Sequence, residues 1–239
     1  MNAASTALTV TFALLVLATA LAAFWLVRKA YLGPDGAPTE QHASFRAFFG
    51  LGLWMALTAA LASSGVLGDF DARPPPMLAL MGVTVVAAVW LAFSAFGTRI
   101  MSALPLAWLI GFQSFRFPLE LVMHWAADEG VMPIQMSYSG SNPDILSGIT
   151  AIVVAGMLFR GAGTPRTPWL WNVLGTCLLA NIVVVAILST PVFAYWGPDA
   201  LNVWVTQPPF VWLPTVLVPF ALIGHILLWR KLLRQRAEG

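Results

Sequence analysis

Apolar residues run along this chain in long blocks, separated by short polar stretches that collect glycine, proline, acids and most of the basic residues. The blocks approach the roughly 20 residues that an α-helix needs to cross hydrocarbon. They predict seven helices, over residues 4–27, 45–67, 77–96, 105–127, 143–160, 169–195 and 210–229. The connectors carry turn chemistry: GPDGAP within 30–44, GDFDARPPP after the second block, a tight return over 98–104, DEGVMPIQMSYSGS over 128–141 and GPDALNVWVTQ before the seventh. Pro105 and Pro168 open their helices at the first position, where a missing N–H costs nothing. Asn142-Pro143-Asp144 reads as an N-cap, a proline at N1 and an acid in the first turn. The fifth block rises only about 25 Å, so part of the loop before it is expected to dip below a membrane surface. Ser147, Gly148, Ala151 and Ala155 give that helix a small-residue face suited to close packing. Asn181 sits near the middle of the sixth block, Pro191 near its end, and Pro214 and Pro219 lie in the seventh. The expected fold is all-α: a polytopic membrane protein of seven transmembrane helices forming one helical-bundle domain over residues 1–239.

Composition agrees. Of 239 residues 59% are apolar and 9% charged, against about 25% charged in an ordinary globular chain, and mean hydropathy is +0.81. The partner this implies is the lipid bilayer. The net charge of +2 is explained by topology before any anionic partner, and no nucleic acid is expected. With seven spans, Arg28, Lys29, Arg46, Arg99, Arg160, Arg166, Arg230, Lys231, Arg234 and Arg236 share one side, and Arg73 lies on the other. That asymmetry predicts the N-terminus outside and the C-terminus cytoplasmic. The first block is read as a helix and not a cleaved signal, because it is long, no basic residue precedes it, and Arg28 and Lys29 follow it. Most tryptophans fall at block ends or in loops, as an aromatic belt does. The single cysteine, Cys177, lies inside an apolar block and offers no disulfide framework or thiolate metal site.

One block departs from this pattern. Residues 105–127 carry Gln113, Arg116, Glu120 and His124, which fall within roughly 80° of one another on a helical wheel. Such a stripe must face protein or trapped water. Pro118 lies between the two charges, has no N–H to donate, and is expected to bend the helix there. Arg116 and Glu120 are spaced i,i+4. They could neutralise each other while Gln113 and Asn181 add interhelical hydrogen bonds, an inert packing core. Alternatively they line a cavity open to the outer face, where Arg116 holds an anionic or carbonyl group and Glu120 with His124 passes a proton. Gln135, Ser141, Asn142 and Asp144 would complete that cavity from above, although helix capping accounts for Asn142 and Asp144 as well.

The function expected first is binding or transport of a small polar or amphipathic ligand, with or without a proton. The alternatives are an intramembrane enzyme on a lipid-soluble substrate, with Glu120 or His124 as acid or base, and a structural or accessory subunit. No cofactor and no metal is expected: His42 and His225 do not match the depth of His124, and one histidine with scattered carboxylates makes a weak metal site. A retinal Schiff base would need a lysine in the last helix, where none lies at depth. No GxSxG, HExxH or P-loop pattern is present. Oligomeric state is left open.

The stretches QSFRFPLELVMHW, VMPIQMSYSGSNPDILSGITA and PPFVWLPTVLVPFALIGH resemble an uncharacterised bacterial family of seven-helix integral membrane proteins. The likeness covers roughly the C-terminal half. It places Gln113, Arg116, Glu120, Gln135, Met136, Asn142, Asp144, Pro214, Pro219 and His225 on positions that look like the family's pattern. It implies a bacterial inner membrane and carries no activity.

Overall fold

In the computed structural model, residues 2–32 and 41–238 are described; the GPDGAP turn lies outside them. The described residues form nine α-helices: α1 Thr6–Ala30, α2 Gln41–Ser63, α3 Pro76–Phe93, α4 Ala95–Ala103, α5 Leu106–Phe112, α6 Arg116–Asp128, α7 Ile145–Phe159, α8 Thr167–Leu188 and α9 Val218–Glu238. Five helical stretches are long and apolar enough to cross a membrane, or six if α4 and the run Leu106–Asp128 are taken as one broken span. The ends of the helices gather into two groups. Ser5, Ser63, Pro76, Asp128, Ile145 and Leu188 lie towards one end of the bundle, called here the Glu129 end. Ala30, Phe93, Phe159 and Glu238 lie towards the other, the Arg230 end.

The surface has the character the hydrophobic pattern requires. Phe49 is 75% exposed, Val86 69% and Leu170 69%. Soluble proteins do not expose large apolar side chains in such continuous bands. Inside, one cluster fills the Glu129 end, where Phe12 of α1 meets Phe210 (5.1 Å) and Trp204 (6.3 Å). A second fills the Arg230 end around Leu26, Ile100, Ile110, Trp171 and Leu228. α9 runs through the middle and packs on α3, α8, α4 and α5.

Three expectations change. The return over 98–104 is the helix α4, at 112° to the run that follows, not a loop. Ser94 starts it by accepting from the Gly97 N–H at 3.3 Å. Gly97 must be glycine, because a Cβ there would sit 2.4 Å from the Ala92 carbonyl oxygen. The sixth helix ends at Leu188, not at 195, and Pro191 lies in the turn beyond it. A proline cannot extend the ladder and biases the residue before it out of the helical region. Regular helix in α7 begins at Ile145 with Asp144, not Asn142, in the N-cap position; Asn142 closes the turn before it, its Oδ1 accepting from the Asp144 N–H at 3.2 Å.

Basic residues close helix ends at the Arg230 end. Arg99 Nε donates to the Ala30 carbonyl at 2.9 Å, Lys231 Nζ to the Met101 carbonyl at 2.7 Å, and Arg230 to the Ala92 carbonyl and to Thr98 Oγ1. Each carbonyl lies at or beside a helix C-terminus, where unpaired acceptors and the macrodipole favour a cation. At the opposite end Glu129 accepts from Ser5 Oγ (2.6 Å) and the Ser5 N–H (2.9 Å), tying the start of α1 to the loop after α6. Those two hydrogen bonds hold the Glu129 carboxyl below its ordinary range.

Prolines open α9 and a tryptophan repairs it. Leu213–Leu217 is a widened π turn that contains Pro214 and ends two residues before Pro219. Pro219 has no N–H to return to the Thr215 carbonyl, and Trp54 Nε1 of α2 donates to that oxygen at 2.9 Å. Trp212 Nε1 reciprocates on the Met55 carbonyl at 3.0 Å. Trp54→Phe is therefore expected to cost about 1–3 kcal/mol, the penalty of an unpaired buried acceptor, read as a lower Tm. In a Pro219→Ala background, which restores the N–H, the same change should cost less; equal costs in the two backgrounds would show that Trp54 does not serve that carbonyl.

Candidate functional site

The stripe of the fourth block lies on one run, Leu106–Asp128, whose backbone tightens to a 3-10 turn over Gln113–Phe115. This turn precedes Pro118 by one helical repeat, where a missing amide is felt, and the chain stays right-handed helical through it. Gln113, Arg116 and Glu120 are buried to within 1% of complete, and His124 is part-exposed near the Glu129 end.

Arg116 does not pair with Glu120. Its guanidinium takes the Asp144 carboxylate in a two-pronged contact, Nε to Oδ2 at 2.8 Å and Nη2 to Oδ1, and Nη1 donates to His225 Nε2 at 2.8 Å. The planar fork matches a carboxylate better than a single i,i+4 contact along one helix could. Arginine only donates, so His225 Nε2 must accept; the ring is neutral and carries its proton on Nδ1. That proton points to Asn172 Oδ1 at 2.7 Å, and Asn172 Nδ2 donates to the His225 carbonyl at 3.3 Å, which fixes the amide's orientation. The His225 ring lies on Trp171 with centroids 5.5 Å apart. Ser147 Oγ donates to Asp144 Oδ1 at 2.9 Å.

Glu120 is served by Asn142, whose Nδ2 lies 2.9 and 3.0 Å from the two carboxylate oxygens and 2.9 Å from the Met136 carbonyl. Among the described residues no cation lies within ion-pair distance of Glu120. Beside it is a cavity of about 50 Å³, walled mainly by apolar side chains such as Leu119, Met123, Ile182 and Leu217, with Arg116, Glu120 and Asp144 on its edge. That is room for a water or two. Further out, His124 Nδ1 meets Ser137 Oγ (3.1 Å) and Ser139 Oγ (3.2 Å), its Nε2 lies 3.7 Å from Asp128, and Tyr138 covers the ring.

Glycines make the approach close enough. A Cβ on Gly148 of α7 would sit 2.2 Å from the Phe117 amide nitrogen, so α7 packs backbone to backbone on α6 and delivers Asp144 to Arg116. A Cβ on Gly175 of α8 would sit 2.4 Å from the His225 ring, and one on Gly224 of α9 2.0 Å from Gln113 Nε2. The small face of α7 is buried along its length, as its spacing predicts.

The structure thus brings Arg116, Glu120, Asn142 and Asp144 together and places His124 above them. Gln113 donates to the Ala221 carbonyl at 3.2 Å, and its Oε1 has no partner among the described residues. Gln135 and Asn181 stand apart: Gln135 Nε2 donates to Ser189 Oγ and the Ala200 carbonyl, and Asn181 Nδ2 to the Ser141 carbonyl, so both pin the 129–144 loop to α8 and beyond. The Arg116–Glu120 pairing is corrected to Arg116–Asp144. His225, set aside on depth, and Asn172 both belong to the cluster. An arginine stem spans the missing depth, and the family pattern already held His225.

Residues 74–233 match the family described as "Domain of unknown function (DUF8737)". The chain belongs to the DUF8737 family. Every member of the cluster lies within the DUF8737 match, as do α3 to α8 and most of α9, whereas α1 and α2 precede it. No curated protein and no solved structure matches the chain.

The buried pair makes a sharp stability prediction. Arg116→Met should cost about 3–5 kcal/mol, because Asp144 is left as an unpaired buried charge; Arg116→Met with Asp144→Leu should recover most of that. Thermal unfolding in detergent reads the difference. A double variant as damaged as the single would mean that Arg116 acts through some other contact.

Proposed function

We propose that this is a multi-pass protein of the bacterial inner membrane that binds or carries a small polar or amphipathic ligand at the Arg116 cluster, reached from the outer face and coupled to a proton on Glu120. In this reading the chain crosses seven times, as one domain, with the Glu129 end outside and the Arg230 end in the cytoplasm. Helix lengths, the exposed apolar bands and the concentration of basic residues at one end support it. The fifth crossing, α7, is short, and the buried loop residues Val131, Met132 and Met136 make up for its length.

The observation that carries the functional reading is the charge count. Arg116 contributes one positive charge, and Asp144 and Glu120 contribute two negative charges when ionised. One bound proton, or one bound cationic group, balances the set. His124, with Ser137 and Ser139, sits between Glu120 and solvent near Asp128, where a proton can pass. His225 and Asp144 are the other titratable groups facing the cluster, each already engaged with Arg116. A carboxylate or phosphate ligand would compete with Asp144 for the guanidinium fork. A purely structural core has one observation in its favour: Arg116 is already bonded through all three of its nitrogens.

Two measurements test the proposal. Reporter fusions should place the 160–167 loop inside and the 128–141 loop outside; the reverse would end the topology. Infrared difference spectra between alkaline and acidic buffer should show a carboxyl band that gains a proton in the wild type and is lost in Glu120→Gln, a variant that can still bond Asn142. An unchanged band would assign the proton elsewhere and leave the structural reading.

A further inference from the structure

A space larger than the one at the charged cluster lies elsewhere in the molecule. Between α2 and the rest of the bundle lies a cavity of about 720 Å³, within the range of built ligand sites. Phe24 of α1, Leu51 of α2, Val83 of α3, and Phe220 and Ile223 of α9 wall it. Two tryptophan hydrogen bonds, at Trp54 and Trp212, tie α2 to the segment just before α9. On the Arg230 side of that tie α2 meets α1, where Phe24 lies 4.8 Å from Phe48 and 6.3 Å from Phe45, and the cavity lies between these helices, α3 and α9. Trp54 and Thr215 line one part of the cavity and Arg46 another, near the start of α2.

Arg46 is the one charged residue among the described residues of the lining, which include no acid. Its side chain is exposed, and it makes no hydrogen bond or ion pair with the described residues. Arg28 and Lys29 close α1 at the same end. The site therefore has an apolar body and a basic mouth. At roughly 30 Å³ per water-sized group, it takes about two dozen methylenes, enough for one long hydrocarbon chain. A helix from a second copy fits poorly: a cylinder about 10 Å across would fill this volume with only about six residues.

We propose that this cavity holds one acyl chain of an anionic phospholipid from the leaflet at the Arg230 end, with the headgroup phosphate on Arg46. The lipid would complete the packing of α2, a helix that lies before the DUF8737 match. The assignment is independent of any ligand at Arg116.

The test is native mass spectrometry of the full chain, delipidated in detergent and offered dioleoyl-phosphatidylglycerol or dioleoyl-phosphatidylcholine. The wild type should retain one phosphatidylglycerol with a preference of roughly fivefold, the scale of one basic side chain against an anionic headgroup. Arg46→Ala should bring the two lipids to parity. Gly50→Phe should remove both, because Gly50 lines the cavity with no atom within 4 Å of the position its Cβ would take. If Gly50→Phe does not fold, Ala87→Phe fills the same space from α3. Equal retention of the two lipids by the wild type, or undiminished retention in the filled variant, would identify the lipid as annular and overturn the proposal. A lipid-free dimer would overturn it too, by making a second copy the occupant.

Discussion

The guanidinium of Arg116 has to be satisfied where there is almost no water, and much of the bundle is arranged to do it. Its helix supplies only the arginine. The carboxylate comes from the start of α7, the accepting imidazole from α9, and the amide that holds the imidazole from α8. Three segments therefore meet at one side chain, with α8 joined through the imidazole, and Gly148 and Gly175 remove the side chains that would keep them apart. Taking this pair out of water is costly, and only its geometry and the surrounding hydrogen bonds repay that cost. A fold that accepts this burden in place of a cheaper apolar contact has retained a group whose chemistry it uses, or whose position it needs for registry.

The same economy of backbone groups appears elsewhere. Pro219 leaves a carbonyl open, and a tryptophan from α2 fills it; helix ends at the Arg230 end are closed by Arg99, Arg230 and Lys231. The residues that suggest an orientation are thus also local caps. Along the first half of α2, where Phe45 and Phe48 meet Phe24 of α1, a cavity lies between α2 and α9.

Much of the plan could be read from residue order. Block lengths located the long helices, because hydrocarbon-length apolar runs leave few alternatives. The helical wheel put Gln113, Arg116 and Glu120 on one buried face, and the small-residue spacing of α7 marked a close contact. The partner of Arg116 could not be read, since i,i+4 spacing ranks a neighbour on the same helix above a better-shaped carboxylate 28 residues on. Asn172 was missed because an asparagine inside an apolar block gives no sign of what it faces. α4 was missed because nine residues between two breaks look like a turn until the Ser94 cap is seen to start a helix.

The central claim is that Arg116 is held in a defined network in which it donates to His225. Nitrogen-15 NMR of the chain labelled at histidine and arginine, in lipid, reads which ring nitrogen carries the proton and what it bonds to. The account predicts a neutral His225 ring, protonated on Nδ1 towards Asn172, with Nε2 bare and in contact with an Arg116 guanidinium nitrogen. A proton on Nε2 would contradict it, because two donors cannot share that contact, and the cluster would have to be rebuilt around a different partner for Arg116.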